Sequence, residues 1–287
     1  MRIFTLKTIF LLFLFNLISW YFVFEFSKEP YLTVYFFNVG EGDGILIQTP
    51  FKNQILIDGG PDSKILEKLS KVMPFWDKTI EVLILTHPDK DHLTGQISVL
   101  KHYKVENLIW NGLKSEITEY KQWENLVQEK QIKIFKVQDY KRVKEKNLIL
   151  TFLWPKNSSN FAFQNSNDFS IVAKLKYYQN SFLFTGDISS LGEKALISLW
   201  DKKTLESQVL KVAHHGSKYS TSEEFLLKVQ PEFAVISVGK DNPYFHPHFQ
   251  TLENLKKHGT TIFRTDLNGD IKFFGNGQII NYEFSNI

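Results

Sequence analysis

The sequence predicts an α/β fold in which two β-sheets pack face to face and helices cover their outer faces. Short β-branched and aromatic runs alternate with longer amphipathic segments, first from Tyr31 to Phe135 and again from Leu148 to Tyr282. Each half therefore supplies several strands and several helices, and each sheet needs apolar partners on both faces. The two halves share this arrangement but no repeated sequence.

The composition is that of a globular protein with one large domain. The chain has 287 residues, of which 43% are hydrophobic, and we assign residues 31–287 to the domain and residues 1–30 to an N-terminal segment. The net charge of +3 is too small to indicate a nucleic-acid binder and does not exclude one. The absence of cysteine excludes disulfides, thiolate zinc sites and cysteine nucleophiles. Any bound metal would be held by histidine nitrogens and carboxylate oxygens.

The N-terminal segment predicts one transmembrane helix. Residues 8–26 are apolar apart from Asn16 and Glu25, and a helix of that length would span roughly 28 Å, close to the roughly 30 Å of a bilayer core. Arg2 and Lys7 precede it, so the positive-inside rule leaves the N-terminus in the cytoplasm. We therefore expect a single-pass protein of the cell membrane with its domain outside.

A cleaved signal peptide is the alternative for these residues. No small-x-small cleavage site follows the apolar stretch, which favours an uncleaved anchor. Ser27 to Pro30 would then be a short linker between anchor and domain.

The first half contains six predicted strands and three predicted helices. The strands are Tyr31 to Val39, Ile45 to Gln48, Gln54 to Ile57, Ile80 to Leu85, Leu108 to Trp110 and Ile132 to Phe135, and the helices are Pro61 to Val72, Leu93 to Tyr103 and Ser115 to Lys130. The second and third strands form a hairpin around Pro50 to Asn53. The basic stretch Lys141 to Lys146 that follows is predicted to be a solvent-exposed hairpin edge.

The second half continues with strands and helices of similar length. The strands are Leu148 to Leu153, Phe169 to Tyr178, Ser181 to Thr185, Gln208 to Ala213, Phe233 to Val238, Thr261 to Arg264, Ile271 to Phe274 and Ile279 to Tyr282, and the helices are Leu191 to Trp200, Phe225 to Val229 and Phe249 to His258. Asn268 and Gly269 predict a hairpin turn between Thr261 to Arg264 and Ile271 to Phe274.

Four residues able to bind a metal follow the strand Ile80 to Leu85: His87, Asp89, Asp91 and His92. In an extended loop His87 and Asp89 leave the backbone on the same side, because they are two residues apart. The adjacent Asp91 and His92 diverge and could serve a different ion. A polar turn in which an aspartate caps the following helix is the alternative for any one of these residues.

Further histidines and carboxylates also lie at or just past strand ends. The histidines are His87, His92, His214, His215, His246 and His248, and the carboxylates are Asp58, Asp89, Asp91 and Asp187. If the two sheets pack as predicted, these groups meet at one edge of the sandwich, where crowded carboxylates require cations. This pattern predicts two divalent ions that lower the pKa of a bound water. Asp and His ligands suit zinc or manganese and do not decide between them.

The motifs that carry these residues resemble those of the metallo-β-lactamase superfamily, in particular the ComEC/Rec2 type of competence-protein hydrolase domain. The similar motifs, in order, are Asn38 to Asp43, Thr86 to His92, Lys211 to Ser217 and Asn242 to His248, with Asp58 to Gly60 and Thr185 to Asp187 between them. The resemblance covers nearly everything after Pro30. It implies an αββα sandwich with a dinuclear site.

The resemblance also implies a ligand set. His87 and Asp89 would hold one ion, Asp91 and His92 the other, Asp187 would bridge, and His215, or else His214, would complete the second site. His215 is preferred because it directly precedes Gly216. Asp58 and Asp43 would orient the ligands. The usual third ligand of the first ion is missing, since no histidine lies between His102 and His214, and Asn167, Asp168 or Ser170 could replace it.

The function that we expect from these features is hydrolysis of phosphodiester bonds in DNA outside the membrane. Asp91 would be essential at the centre, His246 or His248 would protonate the leaving oxygen, and Ser217, Lys218 and Ser220 would hold a phosphate. Two other functions stay open. One is hydrolysis of an ester, lactone or thioester, and the other is a non-catalytic surface module.

Overall fold

The computed structural model describes residues 2–27, 31–156 and 165–285, and the strands within these ranges form two mixed sheets. The strands are β1 Leu32–Phe36, β2 Ile45–Gln48, β3 Gln54–Ile57, β4 Thr79–Leu85, β5 Lys104–Trp110, β6 Lys133–Lys136, β7 Lys141–Glu145, β8 Leu148–Trp154, β9 Val172–Tyr177, β10 Asn180–Phe184, β11 Val209–Lys211, β12 Phe233–Ile236, β13 Thr261–Arg264, β14 Asp270–Gly275 and β15 Ile280–Ser285. The first sheet has the order β15-β14-β1-β2-β3-β4-β5-β6 and the second the order β13-β12-β11-β10-β9-β8-β7.

Helices cover the outer faces of both sheets: α2, α3 and α4 pack on the first, and α5, α7 and α8 on the second. The helices of the described residues are α1 Arg2–Ser27, α2 Lys64–Val72, α3 Lys90–His102, α4 Thr118–Glu129, α5 Ser190–Leu199, α6 Lys202–Leu205, α7 Glu223–Val229, α8 Phe249–Lys257 and α9 Thr265–Asn268. Single 3-10 turns occupy Ser166–Phe169 and Ala213–Gly216.

The alternation of side chains along each strand builds three apolar layers. In β4, Ile84 faces the second sheet and belongs to the core between the sheets, while Leu83 and Leu85 point the other way into a cluster with α2, α3 and α4. A third cluster joins the second sheet to α5, α7 and α8. The predicted αββα sandwich is therefore confirmed.

The hairpin predicted at Asn268 and Gly269 is wrong. β13 pairs with β12 in the second sheet, whereas β14 pairs with β1 in the first, so the chain crosses between the sheets at this point. The short helix α9 makes the crossing, and Gly269 follows it with a φ of 71°. Asn268 and Gly269 therefore end helix α9 and form no hairpin turn, because β13 and β14 pair with strands of different sheets.

The helix α3 begins three residues earlier than predicted. It starts at Lys90, which places Asp91 and His92 in its first turn, and Asp89 stands at its N-cap position. The side chain of Asp89 makes no capping hydrogen bond. The alternative in which this aspartate caps the helix is therefore not what the structure shows.

The N-terminal segment is helical over the residues for which we predicted an anchor. The described side chains of α1 include exposed apolar ones such as Leu11, Phe15 and Trp20. Within the described part of the chain, no helix combines the length and the apolarity that crossing a membrane requires. The predicted linker from Ser27 to Pro30 lies, apart from Ser27, outside the described residues.

Candidate metal centre

The candidate centre lies at the edge of the sandwich where parallel strands end. β3 and β4 are parallel in the first sheet, and β10, β11 and β12 are parallel in the second. Loops after the carboxyl ends of parallel strands meet at one edge of a sheet. The groups that follow these strands are Asp58 after β3, His87 after β4, Asp187 after β10, His215 after β11 and His246 after β12.

Four of the predicted ligands form one compact set: Asp91, His92, Asp187 and His215. One ligand atom from each lies within 4.8 Å of all the others. Asp187 Oδ2 is 3.3 Å from His92 Nε2 and 3.2 Å from His215 Nε2. Both Nε2 atoms are buried and make no hydrogen bond, although a buried polar atom without a partner is costly. Two imidazole nitrogens and two carboxylate oxygens converging on one point fit a divalent ion such as zinc or manganese.

Hydrogen bonds fix both histidine rings so that Nε2 faces the set. His92 Nδ1 lies 2.8 Å from Asp58 Oδ2, and His215 Nδ1 donates to the carbonyl oxygen of Ser237 at 2.8 Å. Asp58 is held in turn by the backbone N–H of Thr86 at 2.9 Å and its hydroxyl at 2.7 Å. Such outer contacts set the tautomer of a metal-binding histidine. Asp58 therefore lies where an orienting role requires.

The four groups strongly perturb one another's charge. Burial alone lowers the pKa of His92 and of His215, but Asp187 and the other carboxylates around them raise both pKa values well above the usual range. Burial alone raises the pKa of Asp91 and of Asp187, but the two histidines lower both far below the usual range. In the metal-free protein, protons on the imidazoles thus balance the carboxylate charge that an ion would otherwise balance.

A buried lysine, Lys211, adds a fixed positive charge beside the four-residue set. Its Nζ lies 2.5 Å from Asp43 Oδ2, 3.4 Å from Asp187 Oδ1 and 3.1 Å from the carbonyl oxygen of Gly186. Burial lowers its pKa, but Asp43 and Asp187 together raise it above the usual value, so the amine stays charged. One sequence signal for this role is a lysine within the apolar strand β11, and our prediction did not use it.

The first of the two predicted sites is less complete. His87 Nε2 is 3.7 Å from Asp89 Oδ2, and burial lowers the pKa of His87, which keeps the ring neutral. Among the described residues, no set of three histidine or carboxylate donors with ligand atoms all within 4.8 Å of one another includes His87. Two hydroxyl groups lie beside this pair: Thr86 Oγ1 is 3.0 Å from His87 Nδ1, and Ser166 Oγ is 3.3 Å from Asp89 Oδ1.

The three residues proposed for the missing ligand make other contacts. Asp168 accepts a hydrogen bond from the N–H of Ser189 at 3.0 Å, and Ser170 Oγ accepts one from the N–H of Asp187 at 3.1 Å. Asn167 Oδ1 lies 3.3 Å from the Ser166 hydroxyl, next to Asp89. Ser170 therefore contacts the backbone of Asp187, and Asn167 is the one of the three that neighbours the His87–Asp89 pair through Ser166.

A left-handed turn aims His215 at the centre and His214 away from it. The φ values of His214 and His215 are 49° and 52°, a conformation that costs energy for residues other than glycine. Gly216 follows with a φ of 85°, and a Cβ there would lie 2.5 Å from the Pro247 Cβ. His214 does not join the four-residue set, and its ring centre lies 5.7 Å from that of His246.

Of the two predicted acids, His246 is the one that a carboxylate orients. Its Nδ1 lies 3.1 Å from Glu41 Oε1, and its ring centre lies 6.3 Å from that of His215. Glu41 also accepts a hydrogen bond from the N–H of Gly239 at 2.7 Å. The pKa of His248 is lowered by burial, and its Nδ1 makes no hydrogen bond. We did not predict the role of Glu41, whose position in a glycine-rich loop was the available signal.

The three residues predicted to hold phosphate differ in accessibility. Ser220 is buried, with Oγ 2.9 Å from the carbonyl oxygen of Ala213 and 3.0 Å from that of Ser217. Ser217 is also buried and accepts a hydrogen bond from the N–H of Tyr219 at 3.3 Å. Lys218 alone of the three is exposed. The two serines close the turn, and the lysine faces solvent.

Comparison with known proteins agrees with this architecture. The sequence model of the metallo-beta-lactamase superfamily matches residues 38–240. The chain is 33% identical over 254 residues to ComE operon protein 3 of Bacillus subtilis (strain 168), covering 82% of this chain and 32% of that protein. It is 29% identical to Recombination protein 2 of Haemophilus influenzae, covering 87% of this chain and 30% of that protein. The chain thus spans about a third of the length of the curated relatives it matches.

A solved structure shares the fold. The metallo-beta-lactamase fold protein YhfI from Bacillus subtilis superposes with a TM-score of 0.57 at 12% identity, covering 85% of this chain and 99% of that one.

Proposed function

Because the chain belongs to the metallo-beta-lactamase superfamily, as a metal-dependent hydrolase related to competence proteins, we propose that it hydrolyses phosphodiester bonds in DNA. The observation that carries the proposal is the set of four converging donors with two unpartnered Nε2 atoms beside the carboxylate-bound His246. Recombination, the process that names one of the two relatives, acts on DNA.

The residues of the centre divide the work of such a reaction among them. Asp91, His92, Asp187 and His215 would hold a divalent ion, which supplies Lewis acidity and lowers the pKa of a water molecule. His246, oriented by Glu41, donates a proton to the leaving oxygen. Lys218, exposed three residues after His215, attracts the phosphate. Lys211 holds the Asp187 carboxylate in place through its ion pair.

We also propose two ions, zinc or manganese, of unequal affinity. The four-residue set provides two nitrogens and two oxygens, whereas His87 and Asp89 provide one of each and depend on neutral oxygens nearby. Titration with zinc and with manganese, followed by calorimetry, would then give one tight and one weak binding step.

The location that we propose is the outer face of the cell membrane, with α1 as a single anchor. The exposed apolar side chains of α1 support this, as does the basic residue Lys7 before them. Protease treatment of intact cells should degrade the domain and spare the N-terminal segment. Protection of the whole chain would contradict this orientation.

Cleavage of labelled single-stranded and double-stranded DNA with added manganese or zinc tests the function. We expect cleavage by the wild type and a loss of at least about a hundredfold in the Asp91→Ala variant, since one ligand of the centre is removed. Lys144→Ala, on the exposed strand β7, is the matched control. Equal activity of wild type and Asp91→Ala would contradict the proposal.

Further measurements separate the two alternative functions from DNA cleavage. Cleavage of an ester, lactone or thioester with DNA left intact would identify an acyl hydrolase of the same superfamily. Less than one metal per chain, together with a melting temperature that a chelator does not change, would identify a non-catalytic module.

A further inference from the structure

Four large aromatic side chains are exposed beside the candidate centre. Tyr219, Tyr244, Phe245 and Phe249, called here the aromatic surface, are 65%, 61%, 84% and 69% exposed. Exposed apolar groups that lie together on a protein surface often mark a binding site. None of these four side chains packs in the apolar core of the sandwich.

Backbone contacts bring the two segments that carry these rings together. The N–H of His248 donates a hydrogen bond to the carbonyl oxygen of Gly216 at 2.9 Å. The hydroxyl of Thr251 donates one to the carbonyl oxygen of Ser217 at 2.8 Å. The start of α8, with Phe249, is therefore fixed against the turn that carries Tyr219.

One residue of the aromatic surface, Tyr244, connects to the candidate centre through His246. The ring of Tyr244 stacks on that of His246, with ring centres 5.6 Å apart and planes 25° apart, and the ring centre of His246 lies 6.3 Å from that of His215. Two ring-to-ring steps therefore connect a predicted metal ligand to the first exposed aromatic residue. A strand with one phosphate at the centre would have its neighbouring bases beside these rings.

Hydrogen bonds hold the backbone of the loop from Gly239 to His246, in which the side chain of Phe245 is exposed to solvent. Phe245 has a φ of 58°, which is unfavourable for an aromatic residue. Asn242 holds this conformation, because its side-chain N–H donates to the carbonyl oxygens of Gly239 and His246, at 3.0 and 2.8 Å, and its Oδ1 accepts from the N–H of His246 at 2.9 Å. A strained residue held by its surroundings with its side chain in solvent suggests a role in binding.

Lysines complement the rings with positive charge. Lys218 precedes Tyr219, with its Nζ 5.1 Å from the centre of that ring, and the exposed Lys240 lies at the start of the Phe245 loop. Exposed rings combined with lysines are what proteins use to bind single-stranded nucleic acid, where the rings stack on bases and the lysines attract phosphates. A duplex keeps its bases stacked on one another and offers no free base faces.

We propose that the aromatic surface binds unpaired bases next to the scissile phosphate, so that the substrate is single-stranded DNA. This inference rests on the proposed function and adds the strand state of the substrate. It assigns Tyr244, Phe245, Phe249 and Tyr219 as stacking residues and Lys218 and Lys240 as phosphate contacts.

The test is binding of fluorescent oligonucleotides by the full-length protein in detergent, with a chelator present so that no cleavage occurs. We expect oligothymidine to bind more tightly than an abasic oligomer of equal length or a duplex. Phe245→Ala and Tyr244→Ala should each weaken oligothymidine binding, by roughly 5-fold to 150-fold, and leave abasic binding unchanged. Phe245→Trp should retain binding.

Trp76→Ala is the matched control, because Trp76 is 73% exposed and precedes β4 at the end of the sheet away from the centre. It should bind oligothymidine as the wild type does. Unchanged binding in both Phe245→Ala and Tyr244→Ala, or equal losses on the abasic oligomer, would overturn the inference. Stronger quenching by brominated lipids in Phe245→Trp than in the wild type, without stronger quenching by oligothymidine, would assign the surface to the membrane and also overturn it.

The binding assay and the cleavage assay test the stacking inference and the proposed function independently. If no divalent ion supports DNA cleavage, the proposed function fails while metal-free binding can still confirm the stacking residues. If cleavage occurs and the aromatic variants bind and cleave as the wild type does, the stacking inference alone fails.

Discussion

Protons and a metal ion compete for the same atoms at the candidate centre. Burial lowers the pKa values of His92 and His215, but the carboxylates around them raise both well above the usual range, which favours a proton on each ring when no ion is bound. Because the folded pKa exceeds the usual value, this protonation stabilises the metal-free fold at low pH, and the contribution is lost as the pH rises through the raised pKa. A metal ion requires both Nε2 atoms unprotonated.

Metal affinity should therefore increase with pH. Between pH 6 and pH 8 we expect the association constant for zinc to rise by up to about tenfold per pH unit for each proton released, with as many as two protons released. Calorimetric titrations in buffers of different ionisation enthalpy measure both the affinity and the protons. An affinity that is constant over this range, with no proton release, would show that the rings are already neutral.

Lys211 is expected to be essential for stability because it pairs with two buried carboxylates. Lys211→Met leaves Asp43 and Asp187 buried without their cation, and breaking a buried ion pair in this way costs about 3–5 kcal/mol of unfolding free energy. Urea denaturation measures the loss. Lys144→Met, on the exposed strand β7, is the control and should change the unfolding free energy by less than about 0.5 kcal/mol.

Adding a second substitution separates charge from packing in this result. Asp43→Asn in the Lys211→Met background removes one uncompensated charge and should recover part of the loss. If the double variant is no more stable than the single one, the loss comes from the volume of the lysine side chain instead.

At the level of elements, the sequence predicted the strands and one of two hairpins: β2 pairs with β3 as predicted, whereas β13 and β14 do not pair. The continuous apolar run predicted the central strand at Ile80 to Leu85, and β4 is Thr79–Leu85. The Asn268-Gly269 turn was misassigned because turn chemistry is local, whereas the crossing from β13 to β14 depends on pairing with distant strands.

The same distinction explains which site residues the sequence revealed. His87, Asp91, His92, Asp187 and His215 stood at strand ends in a spacing typical of metal ligands. Lys211 and Glu41 carried no such pattern, because their roles depend on Asp43 and His246, which approach them only in the folded chain. The start of α3 was missed because residues 87–92 were interpreted as an extended loop of metal ligands, although Asp89 is itself a usual N-cap residue.

Helix α3 carries two of the predicted ligands and depends on a close backbone approach at Gly95. The N–H of Gly95 donates to the carbonyl oxygen of Gly60 at 2.9 Å, and a Cβ on Gly95 would lie 1.8 Å from the carbonyl oxygen of Gly59. The position of this helix against the loop after β3 therefore has no room for a side chain.

Gly95→Ala should destabilise the protein although alanine is the better helix former. The gain in helix propensity is about 1 kcal/mol, while displacing the helix from the loop costs more, so we expect a net loss of about 1–3 kcal/mol. Lys101→Ala, exposed on the same helix, is the control and should have little effect. Chemical denaturation measures both, and a Gly95→Ala variant as stable as the wild type would show that the loop moves aside at no cost.

At the scale of the molecule, the candidate centre joins the two sheets. Asp91 and His92 belong to α3, which follows β4 of the first sheet, whereas Asp187 and His215 follow β10 and β11 of the second. An ion bound by all four would tie the halves of the sandwich together at one edge. Unfolding would separate the ligands and release the ion.

Metal binding should therefore raise the melting temperature of the whole domain in one step. An ion at a hundred times its dissociation constant adds about 2.7 kcal/mol, which corresponds to a rise of about 5–10 °C for a domain of this size. Differential scanning calorimetry with zinc and with a chelator measures the shift. Asp187→Asn, which weakens the ligand nearest to both histidines, should abolish most of it, whereas Asp89→Asn, outside the four-residue set, should retain it. If Asp89→Asn lost the shift and Asp187→Asn kept it, the tighter ion would belong to the His87–Asp89 pair, and the ion would then contact only the first sheet.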